Sequence, residues 1–184
     1  MSRLVRIALA LTTAVALVLG ATAWALAPAP VLRAGGPVSV TGTEASGSFT
    51  MGSTTVRQVR YDDRGTLGYG FRLTNDGPGT ATVVGVRPVG PTATLLRVRG
   101  LHGPGGGEVE LAPGSTRTVV LDVLMTDCER LSARAASLVT AVDVELSRWG
   151  RAHVVRVELP EQLRTGSARE MFCPRATADS RPPG

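Results

Sequence analysis

The sequence contains no lysine; all twenty basic side chains are arginines. That absence excludes a phosphate-binding loop built on a lysine and any mechanism that runs through a lysine Schiff base. Asparagine occurs once, at Asn75, and isoleucine once, at Ile7. Aromatic residues make up only 4% of the 184-residue chain, so valine and leucine must fill its core. Histidine is limited to His102 and His153, and cysteine to Cys128 and Cys173. Alanine, glycine, valine, proline and arginine dominate, a composition of the kind that GC-rich coding produces. This weakens any argument from the net charge of +5. No basic stripe interleaved with aromatics occurs, so nucleic acid is not an expected partner.

The N-terminus carries the strongest signal. Residues 7–26, IALALTTAVALVLGATAWAL, are free of charge and follow Arg3 and Arg6. About 20 apolar residues suffice to span a bilayer as a helix, and the preceding arginines favour a cytoplasmic N-terminus with the remainder outside. Two readings fit. In one, the segment is an uncleaved single-pass anchor with Trp24 at the outer interface. In the other, it is a signal peptide cleaved after Ala23, at Ala21-Thr22-Ala23, and the protein is secreted. Residues 1–27 therefore read as signal or transmembrane segment and 28–36 as a linker. No cysteine lies here to carry a lipid anchor. Outside the cell, an even cysteine count favours a Cys128–Cys173 disulfide, a cross-link of ~4 kcal/mol in the chain-entropy model.

The rest of the chain alternates with a period of two, the signature of strands with one wet face. In YGFRLTNDGPGTATVVGVRP, residues 69–88, Tyr69, Phe71 and Leu73 alternate with Gly70, Arg72 and Thr74. Asn75-Asp76-Gly77-Pro78-Gly79 breaks the strand, and a valine-rich run follows. Similar runs occur at 38–40, 47–61, 108–111, 119–125, 142–147 and 155–159. Turns fall at Asp62-Asp63-Arg64-Gly65, Ala112-Pro113-Gly114-Ser115 and Arg148-Trp149-Gly150. The expected fold is an all-β sandwich of seven to nine strands over 37–160, with a tail over 161–184 that Cys173 ties back. Phe49, Phe71 and Trp149 are the best large core candidates, with Met51 and Met125 on apolar strands. Residues 127–137 are the one helical candidate outside the N-terminus.

The pattern Phe71-x-Leu73-x-Asn75-x-Gly77 with its valine-rich return strand resembles the N-G hairpin of immunoglobulin-like domains on bacterial surfaces. With the N-terminal segment and the late cysteine pair, the chain resembles small exported or membrane-anchored proteins of high-GC Gram-positive bacteria. The resemblance implies an immunoglobulin-like β-sandwich and an extracytoplasmic location. It carries over no catalytic residue, and the Cys…Trp…Cys core of antibody domains is absent.

The run LHGPGGGEVELAPG, residues 101–114, is similar to the His-Gly-Gly-Gly oxyanion loops of esterases, which aim backbone N–H groups at a developing negative charge. No G-x-S-x-G supplies a nucleophile. The simpler reading is a mobile glycine-rich connection with His102 exposed. His153 shares the parity of Val155 and Val157 and reads as a half-buried strand residue. Asp62-Asp63 reads as a turn rather than a cation site, and Met51, Met125, Met171 and the histidines form no copper-binding cluster. No catalytic, cofactor-binding or metal-ligating residue is assigned, and no cofactor is expected. The expectation is a tethered module that binds another envelope protein. A small-ligand or metal carrier and a hydrolase using residues 101–107 are the alternatives.

Overall fold

Alternating side chains build two layers. The computed structural model describes residues 28–42, 45–60, 65–89, 96–125 and 138–165. They form ten strands: β1 (Leu32–Thr41), β2 (Ala45–Met51), β3 (Thr54–Arg60), β4 (Thr66–Asn75), β5 (Ala81–Pro88), β6 (Leu96–His102), β7 (Val109–Leu111), β8 (Thr116–Met125), β9 (Leu138–Arg148) and β10 (Arg151–Thr165). A four-stranded sheet has the order β1-β4-β8-β6, and a six-stranded sheet the order β2-β3-β10-β9-β5-β7. All pairings are antiparallel except β3 with β10.

The parity seen in the sequence decides what faces inward. Leu67, Tyr69, Phe71 and Leu73 of β4 lie beside Val119, Leu121, Val123 and Met125 of β8. They belong to one core with Val142, Val144 and Leu146 of β9 and Val157, Leu159 and Leu163 of β10. Fully burying side chains of this size is worth roughly 1.5–3 kcal/mol each, which makes the valine and leucine content sufficient despite few aromatics. Tyr69 and Phe71 stack with ring centroids 5.8 Å apart.

The stretch 69–88 is strand, turn and strand, but the strands do not pair with each other. β4 belongs to the four-stranded sheet and β5 to the six-stranded one. Asn75-Asp76-Gly77-Pro78-Gly79 is thus an arch between layers, not a hairpin. Asn75, fully buried, holds it. Its Nδ2 donates to the carbonyls of Gly79 (2.8 Å) and Leu111 (2.9 Å), and its Oδ1 accepts from the Gly77 N–H (2.9 Å). Its backbone N–H donates to the Ser115 carbonyl, and its own carbonyl accepts from Gly114. An amide is required, because one side chain must both donate twice and accept.

Other expectations change for identifiable reasons. Phe49 is 39% exposed and Met51 more so, because β2 is the outer strand of its sheet. Trp149 is 57% exposed at the β9–β10 turn, where both Trp149 (φ 50°) and Gly150 (φ 75°) are left-handed. That is the geometry of a two-residue hairpin turn whose strand twist matches its neighbours. Phe71 and Met125 are buried as expected.

β1 begins at Leu32, within the expected linker, and absorbs Gly35 and Pro37 through two register shifts. β10 continues past Pro160 to Thr165, with a register shift between Glu158 and Leu163 where proline cannot donate to β9. Alternation alone does not reveal β6, because a bulge between Val98 and Gly100 interrupts its parity. The N-terminal segment, Asp62-Asp63, the 127–137 candidate helix, Met171, Cys128 and Cys173 lie outside the described residues.

Replacing Asn75 with alanine would strand two carbonyls and one N–H in a buried corner. With unmet groups costing ~1–3 kcal/mol each and some relief from water, the loss should be about 3 kcal/mol, read by urea denaturation. A loss below about 1 kcal/mol would show that the arch closes without the amide.

Candidate functional site

The glycine-rich loop after β6 is an ordered turn. The Gly103 N–H donates to the Gly107 carbonyl (2.7 Å), and the Gly106 N–H to the Gly103 carbonyl (3.0 Å). Both N–H groups are therefore engaged within the loop and do not point at a shared oxyanion position. His102 is not exposed on a mobile connection. It ends β6 with 30% of its side chain exposed, its Nδ1 2.7 Å from the Gly103 carbonyl and its Nε2 2.9 Å from Asp122 Oδ2. Only the protonated ring donates to both. The Gly103 carbonyl, and then the Asp122 carboxylate, accordingly hold the His102 pKa above its ordinary value. His153, in β10, is half-buried as its parity implies. Among the described residues, no group of three or more His, Cys, Asp or Glu side chains is placed to hold a metal ion.

A raised folded-state pKa stabilises the fold below the unfolded value and stops doing so as pH rises through the folded one. His102→Gln should therefore lower the melting temperature most between about pH 5 and 6.5, with the gap closing toward alkaline pH. Thermal melts of both proteins across pH would show it; a gap that widens with pH would refute the assignment.

A second polar group lies inside the sandwich. Arg57 of β3 makes a two-pronged contact with Glu161 of β10, both oxygens at 2.8 Å, with only 5% of the Glu161 side chain exposed. Tyr69, from the opposite sheet, places its hydroxyl 3.5 Å from Glu161 Oε2. Burial, reinforced by the carboxylate, drives the Tyr69 pKa far above the usual phenol range, so it stays a neutral donor. The sequence gives no hint of this trio, whose members are 92 and 104 residues apart for the two contacts. Removing one partner of a buried pair strands the other charge. Glu161→Leu should cost about 3–5 kcal/mol, and the double variant Arg57→Met/Glu161→Leu should recover most of it. Chemical denaturation of the three variants would distinguish this from a purely local packing loss.

The third assembly lies at the end of the sandwich where the chain enters. Arg148, 4% exposed, donates from Nη1 to the Pro28 carbonyl (2.6 Å), and its guanidinium carbon sits 4.3 Å from the centre of the Trp149 ring. Gly79 makes room for it: a Cβ there would fall 2.2 Å from Arg148 Nη2. Three residues on, the Val31 carbonyl accepts from the Asp76 N–H (2.8 Å), and Arg33 pairs with Asp76 (2.9 Å). Residues 28–33 are thus gripped by the arch and the β9–β10 turn.

The sheet edges differ in their protection. Edge strands expose unpaired backbone groups and are usually blunted by charge, proline, bulges or brevity. β1 has Pro37 and two register shifts. β6 has exposed Arg97 and Arg99 and a bulge. β7 is three residues long. β2, ASGSFTM, has none of these devices: it carries no charge, pairs with β3 along seven residues without a register shift, and is exposed from Ser46 to Met51. The outer face of the central strands is different again, crossed by the ion pairs Arg87–Glu145 and Arg156–Asp143.

No family model matches the chain, and no curated protein matches it. The fold and the site geometry therefore carry the functional reading.

Proposed function

We propose that the protein is an extracytoplasmic, membrane-tethered interaction module of immunoglobulin-like type, which binds an extended segment of another envelope protein along β2. The β2 edge, which no other described strand covers, carries this reading. Main-chain pairing to an exposed edge supplies affinity, and alternate side-chain positions supply specificity. Here those positions are Phe49 and Met51, both exposed. The immunoglobulin-like type draws support from strand order. Taking β1, β4, β5, β6, β8, β9 and β10 as A to G gives an A-B-E-D sheet and a G-F-C sheet, with β2, β3 and β7 as additions. The tether draws support from the charge-free run of residues 7–26.

A photo-crosslinking residue in place of Ser48, in cells making the full chain, tests the edge. The expected product is an adduct with an envelope protein that disappears when Phe49→Asp places a charge on the strand. Adducts absent at Ser48, or unchanged by Phe49→Asp, would remove β2 as the binding edge.

A further inference from the structure

We propose that the end of the sandwich bearing Trp149 rests on the outer surface of the membrane, with the Trp149 ring at the level of the lipid headgroups. This rests on the anchored reading of residues 7–26 and adds an orientation to it. Residues 7–26 form an apolar run, and the chain stays free of charge as far as Leu32. Pro28, the first described residue, is held through its carbonyl by Arg148 at 2.6 Å. Only Ala27 lies between. At ~3.8 Å per Cα step, the two steps from Leu26 to Pro28 span at most about 8 Å. The headgroup layer is ~5–8 Å thick on each side of the hydrocarbon, so a domain anchored through residues 7–26 begins at the membrane surface. The fold keeps its hold from there on: the Val31 carbonyl is bonded to the arch and β1 begins at Leu32.

The chemistry of this end fits a bilayer interface. Trp149 and Val31 are both more than half exposed. Tryptophan is enriched at membrane–water boundaries, where its ring is apolar and its N–H wet. The loops gathered here, 28–31, 76–80, 112–115 and 149–150, contain one acidic residue, Asp76, and Arg33 neutralises it. Trp149 also breaks a local rule. Its left-handed position favours asparagine, aspartate or glycine, and a bulky residue held there costs conformational energy. Strain and exposure together on a large aromatic indicate a contact outside the domain.

The test uses the full chain reconstituted into phosphatidylglycerol-containing vesicles, with Trp24→Phe leaving Trp149 as the sole tryptophan. Lipids brominated high on the acyl chain should quench most of its emission, and lipids brominated near the chain terminus much less. If the chain floats with the vesicles but neither lipid changes the emission, the anchor stands and the seating is overturned. If the chain does not stay with the vesicles, both fall together.

Discussion

The sandwich turns on one side-chain amide. Asn75 lies at the point where the chain leaves one sheet for the other, buried among carbonyls and N–H groups that regular pairing cannot reach. Its two donors join the arch at Gly79 to β7 at Leu111, and its acceptor closes the turn at Gly77. Its backbone groups tie the same corner to the turn before β8. The arch positions what lies around it: Asp76 for Arg33 and Val31, and Gly79 for Arg148.

Two arginines are treated differently by the fold, and the difference sorts structure from surface. Arg57 is matched to a buried carboxylate on the neighbouring strand of its own sheet, and a tyrosine hydroxyl from the opposite sheet reaches that same carboxylate. Arg148 is held by a carbonyl and an aromatic ring instead, and its Nε has no hydrogen-bond partner among the described residues. It fixes the entry of the chain against the β9–β10 turn. The first is an interior fastening. The second fixes the backbone at Pro28 against the β9–β10 turn.

The strands were largely legible because a period of two survives a skewed composition: Tyr69, Phe71 and Leu73 point inward together, as do Val119 to Met125. Legibility failed where parity was interrupted or location mattered more than type. β6 hides its alternation behind a bulge at Val98–Gly100. Phe49 has the size of a core residue, but its strand lies at the sheet edge, and Trp149 falls in a turn. The 101–107 loop suggested an oxyanion cradle by composition, while its geometry spends those N–H groups on Gly103 and Gly107 carbonyls. Arg57, Glu161 and Tyr69 could not have been grouped from spacing, because nothing local links them.

The sequence by itself determined the all-β class, the faces of most strands, the breaks between them and the apolar N-terminal run, since each follows from local periodicity or turn chemistry. Only the tertiary structure decided that Asn75 bridges two sheets, that β2 is an outer strand and that Arg148 clasps Pro28. Each of these depends on which distant strands become neighbours, and a period of two says which way a side chain faces but not what it meets.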